Sequence, residues 1–150
     1  MERTEKVIFT NMCMVEDNLG NVVVQQRSGS WLGVAFPGGH VETGESFTKS
    51  VIREVWEETW LTIEHPRLVG IKDWVNDDGS RYVVLLYRTA RYTGELTSSD
   101  EGKVWWHPLN QLHELNLSSS MGTMLQVFLN EDLSEHLLVH DGELWKSILL

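Results

Sequence analysis

The stretch from Ser46 to Thr59 does most to limit what this chain can fold into. It carries the strongest helical periodicity in the sequence, and short β-like runs lie on both sides of it. Phe47, Val51 and Val55 recur one turn apart and form an apolar stripe, widened by Ile52 and Trp56. Ser46 is a suitable N-cap. A helix with one apolar stripe must be covered, and the flanking runs supply a sheet to cover it. Lys6 to Glu16, Asn21 to Arg27, Gly33 to Phe36, Leu61 to Ile63, Arg67 to Val75, Arg81 to Tyr92 and Lys103 to His107 read as strands. Asp17-Asn18-Leu19-Gly20 is a turn signal, so the first two strands are expected to form a hairpin. Asn76-Asp77-Asp78-Gly79 predicts a second hairpin, and Asp141-Gly142, between His136–His140 and Glu143–Leu149, a third at the C-terminal end. Asn110 to Leu115 reads as a helical turn and Met121 to Asn130 as an amphipathic helix. The order predicts one α+β domain over residues 1–150, an α/β/α sandwich around a mixed β-sheet.

The charge balance excludes some partners. With a formal net charge of −10, the chain is a poor match for nucleic acid or an anionic membrane, which need clustered Lys and Arg. It remains compatible with a phosphate substrate if carboxylates hold a divalent cation and the cation meets the phosphates. No run reaches the length of about 18 apolar residues that spans a membrane. The first residues have no apolar segment behind them, so no signal peptide is expected. Cys13, the single cysteine, reads as buried packing and suits a reducing cytoplasm.

The chemistry concentrates on the same helix. Glu54, Glu57 and Glu58 fall within an arc of roughly 100° beside the apolar stripe. Three carboxylates on one edge repel one another, and oxygen ligands of this kind suit Mg²⁺ or Mn²⁺. Taken alone, they read as a solvated acidic helix face. The residues in front of them decide between the two readings. Gly39 to Leu61 resembles the Nudix box, G-x5-E-x7-R-E-U-x-E-E-x-G-U with U apolar, matching at Gly39, Glu45, Arg53, Glu54, Val55, Glu57, Glu58 and Leu61. Phe36-Pro37-Gly38 in front of the box is also usual for that family.

The resemblance implies a metal-dependent hydrolase with the Nudix fold. It implies metal ligands from Glu54, Glu57, Glu58 and the Gly39 carbonyl, with Glu45 and Arg53 bridging loop to helix as support for the catalytic set. A further ligand is expected from a distant loop. Glu101, ahead of Val104-Trp105-Trp106-His107-Pro108-Leu109, fits the family pattern, and Asp100 is the alternative. The implied cofactor is Mg²⁺ or Mn²⁺, which would acidify a bound water while Glu57 or Glu58 takes its proton as general base. The final box glycine is Trp60 here. A left-handed Trp costs about 1–2 kcal/mol. The helix is therefore expected to end differently, with the ring packed on the core.

Selection of substrate is less clearly written. Arg27 is placed to reach a phosphate, and Trp31, Phe36, Tyr82 and Asn116 are candidates for a nucleoside pocket. The six histidines show no metal-ligand spacing. The compact chain resembles the MutT-like nucleoside triphosphate pyrophosphatases, including those that remove oxidised dGTP. The alternatives are an ADP-ribose or dinucleoside polyphosphate hydrolase, or a non-catalytic nucleotide-binding module. The expected partner is a nucleotide, and the C-terminal hairpin is a candidate contact for a homodimer.

Overall fold

The computed structural model describes residues 2–28 and 32–150. Its centre is a mixed five-stranded sheet. β1 (Val7–Val15) runs parallel to β6 (Arg81–Thr89), and β6 pairs antiparallel with β5 (Arg67–Val75) through the expected Asn76–Gly79 turn. β5 pairs parallel with β9 (Glu135–Asp141), which forms the expected C-terminal hairpin with β10 (Leu144–Leu149). A second sheet joins β3 (Gly33–Ala35), β2 (Asn21–Arg27) and β8 (Val104–Pro108). A third pairs β4 (Thr62–Ile63) with β7 (Tyr92–Thr93).

The sheet is covered on both faces, as the alternation along β6 requires. Val84 and Leu86 pack with Met124, Val127 and Phe128 of α2 (Met121–Leu129). Val83, Leu85 and Tyr87 point the other way and pack with Val51 and Val55 of α1 (Phe47–Thr59). A mixed sheet flanked by helices, an α+β fold, is therefore present as expected. Among the described residues, no helix is long and apolar enough to cross a membrane.

Two expectations are corrected. β1 and β2 do not form a hairpin ladder. Asp17 N–H donates to the Asn21 carbonyl and one bridge, Glu16 to Val22, follows, after which the strands join different sheets. The turn chemistry is real, but β1 finds better burial beside β6. The helix end also differs. Trp60 adopts the left-handed conformation (φ 65°, ψ 8°) and its N–H donates to the Trp56 carbonyl. Its ring is 55% exposed and lies 5.8 Å from that of Trp56, away from the core. Trp60 thus occupies the position that favours glycine, at the conformational cost described above.

Candidate functional site

The site is assembled from the second half of α1, the loop before that helix and a loop distant in sequence. Ser46 caps α1 by accepting the Lys49 N–H at 3.2 Å. Asn11, in the middle of β1, ties the loop down. Its backbone N–H donates to the Gly39 carbonyl at 2.8 Å, and its side-chain oxygen accepts the Gly39 N–H at 3.0 Å. Its amide nitrogen donates to the Ser50 hydroxyl on α1 at 3.0 Å. Asn11 therefore joins strand, loop and helix with one buried amide.

The glycines are needed for close approach. A Cβ on Gly38 would run into the Asn11 backbone, and one on Gly39 would run into the Glu54 carboxylate. Arg53 holds the other side. Its Nε donates to Glu45 Oε2 at 2.8 Å, and one Nη donates to Glu45 Oε1 at 3.0 Å and to the His40 carbonyl at 3.1 Å. The other Nη bonds Glu54 at 2.9 Å and Glu57 at 3.2 Å. The Arg53 guanidinium holds Glu45 down at about 2, below the usual carboxylate range.

Glu54, Glu58 and Glu101 converge, with one oxygen from each within 4.8 Å of the others. Glu58 is buried and accepts the Gly38 N–H at 3.2 Å. Burial pushes its pKa up to about 8, against the pull of the Arg27 charge and the Gly38 N–H. Burial also raises Glu54. Two carboxylates deprived of water, facing a third, form an oxygen site that a divalent cation would stabilise. The donor set fits such an ion.

Glu101 reaches the group because Gly102, with φ 142°, turns the chain against the Gln26 backbone just before β8 pairs with β2. Asp100 is not part of the trio. Glu57 stands outside it too, on Arg53, with 41% of its side chain exposed.

Beside the trio opens a cavity of about 140 Å³. Its walls include Gly39, Arg27 and Tyr82, and the buried Lys72 and Trp74 from β5. Trp74 and Tyr82 stack at 4.4 Å with their planes 10° apart. Arg27 donates to the Phe36 carbonyl at 3.1 Å and leans toward Glu58. Phe36 itself does not reach the cavity. It is fully buried, edge-on to Phe128, because just past β3 it packs into the core under α2. Asn116 is exposed and does not line the cavity; its carbonyl accepts the Val34 N–H. Trp31 lies outside the described residues.

Asn11, Lys72, Trp74 and Ser119 were not singled out by sequence reasoning. Asn11 and Lys72 carry a visible signal all the same. Each is a polar residue inside an apolar β run, where burial without a partner is costly.

The profile of the NUDIX domain matches residues 9–128. The chain is 34% identical to the uncharacterized Nudix hydrolase YvcI of Bacillus subtilis over 121 residues, 77% of this chain and 75% of that one. It is 31% identical to the oxidized purine nucleoside triphosphate hydrolase of Danio rerio over 86 residues, 57% of this chain but only 53% of the relative. The crystal structure of a MutT protein from Bacillus halodurans superposes with a TM-score of 0.77 at 29% identity, covering 95% of this chain and 97% of that one. The matched profile spans the box, the Asn11 anchor and the Glu101 loop, and the chain belongs to the Nudix family of hydrolases acting on the phosphoanhydride bonds of nucleoside diphosphate derivatives.

Proposed function

We propose that this protein is a nucleoside triphosphate pyrophosphohydrolase with oxidised dGTP as its leading substrate. We propose that it uses Mg²⁺ held by Glu54, Glu58 and Glu101 with the Gly39 carbonyl. The observation that carries the reading is the convergence of those three carboxylates next to Gly39, which lines a cavity walled by stacked Trp74 and Tyr82. Similarity to the Danio rerio enzyme agrees with a triphosphate substrate. A divalent cation bound there would draw charge from the phosphates and acidify water near neutral pH.

The chain's own groups would do the rest. Arg27, at the cavity wall beside Glu58, is placed to meet phosphate oxygens. Glu57 is the proposed general base. It is the helix carboxylate left outside the trio, and Arg53 fixes both of its oxygens at 3.2 Å. A proton leaving the attacking water would pass to one of those oxygens. Arg53 positions Glu57 and, through Glu45 and the His40 carbonyl, keeps the Gly39 loop in register with the helix.

The test is Mg²⁺-dependent hydrolysis of a panel of dGTP, 8-oxo-dGTP, dATP, ADP-ribose and a dinucleoside polyphosphate, with products separated by chromatography: monophosphate and pyrophosphate from a triphosphate, AMP and ribose 5-phosphate from ADP-ribose, and two nucleotides from the dinucleoside. The highest kcat/KM is expected for 8-oxo-dGTP. A preference for ADP-ribose or the dinucleoside would overturn the triphosphate reading, and an inactive protein would overturn the hydrolytic one.

A further inference from the structure

Lys72 of β5 is 7% exposed, yet no carboxylate pairs with it among the described residues. Its ammonium donates to the Ser120 hydroxyl at 2.7 Å and lies 5.6 Å from the Trp74 ring centre. Ser120 is itself unusual. It holds the N-cap position of α2 in the left-handed conformation (φ 60°) and makes no side-chain cap bond. Its hydroxyl is turned to Lys72 instead of to the helix.

An ammonium has three donors and no acceptor, so one hydroxyl leaves it short of partners. Burying such a group is costly unless something pairs with it. Burial lowers Lys72 to about 8, which still leaves it mainly charged near neutral pH. Lys72 also sits where two cavities meet. One is the cavity that Gly39 lines; the other is lined by Ser119, Ser120, Leu138 and Trp145. Neither has a carboxylate among its lining residues. The remaining donors are therefore free to meet acceptors that enter these cavities.

The lining of the cavity says which part of a nucleotide would supply them. Gly39 lies against Glu54, which puts the phosphates beside it, and Lys72 and the stacked Trp74 and Tyr82 line the same cavity. The part of a nucleotide suited to a wall of aromatic rings is the base. We propose that Lys72 selects the base, donating to a ring carbonyl and thereby favouring keto bases such as guanine and hypoxanthine over the amino base adenine. This rests on the nucleotide reading above. Adenine presents an amino group where guanine and hypoxanthine present oxygen, so its N–H would face the Lys72 N–H.

Binding of inosine and adenosine monophosphates to the whole protein, followed by tryptophan fluorescence, tests this without catalysis. The two ligands differ in carrying a carbonyl or an amino group at the same ring position. Wild type is expected to bind the inosine nucleotide about tenfold more tightly. Lys72→Met is expected to abolish the difference by weakening the inosine nucleotide and leaving the adenosine nucleotide roughly unchanged. Lys72→Leu carries the same expectation if the methionine variant does not fold. Ser120→Ala, which leaves the ammonium in place, is expected to keep the preference. Equal wild-type affinities, no binding of either nucleotide, or a preference that survives loss of Lys72 would overturn the proposal. Base discrimination by a protein that hydrolyses none of the substrate panel would leave Lys72 in this role and sink the hydrolase reading alone.

Discussion

Glu57 and Glu58 are adjacent in sequence and live in different surroundings. Glu57 is half exposed on Arg53, while Glu58 is buried beneath Gly38. Glu57→Gln keeps the size and the Arg53 contact but cannot take a proton. Steady-state kinetics should show kcat reduced by about 10²-fold or more, with an unchanged melting temperature. Glu58 makes a prediction about pH. Its folded pKa, about 8, lies above its ordinary value, so the folded state keeps a proton that the unfolded chain releases. Without metal, that proton makes stability fall as pH rises from the ordinary carboxylate range toward about 8. Glu58→Gln should therefore melt higher than the metal-free wild type by about 5 °C or more near pH 8, and no higher near pH 4. Adding Mg²⁺ should raise the wild type near pH 8 and leave the variant where it was.

At the scale of elements, α1 was largely legible in the sequence because its signals are local. The stripe, the Ser46 cap and the spacing of the carboxylates all lie within one continuous segment. The partner of β1 was not legible. A turn signal says that the chain reverses, but not which strand lies beside it afterwards, and β1 pairs with residues far along the chain. Asn11 and Lys72 were missed for the same reason, since each acts on neighbours that only the assembled sheets supply. Glu101 could be anticipated only through the family resemblance. The Trp60 expectation failed because cost was taken as exclusion: a helix stabilised by its packing tolerates a conformational cost of about 1–2 kcal/mol at its end. Trp60→Gly should remove that cost and raise the melting temperature by about 2–4 °C, without altering kcat. Asn11→Ala should do the opposite in both respects. It strands the Gly39 N–H and the Ser50 hydroxyl, so a loss of about 2–3 kcal/mol in denaturant unfolding is expected, together with a fall in kcat.

Across the whole molecule, the two helices lie on opposite faces of one sheet, while the converging carboxylates come from α1 and from the loop before β8. The parallel ladder from Val7–Arg81 to Val15–Thr89 has a kinetic consequence. Each of its contacts closes a loop of 74 residues, since the partners' numbers differ by 81 − 7 = 74. Loop closure on that scale slows folding relative to helices and hairpins. Asn11 sits inside this ladder and anchors the Gly39 loop, so the carboxylate site cannot be assembled before β6 exists to hold β1. During synthesis, α1 would be complete well before its chemistry was. Stopped-flow refolding should show helical signal recovering ahead of Mg²⁺ binding, and simultaneous recovery would count against this order of assembly.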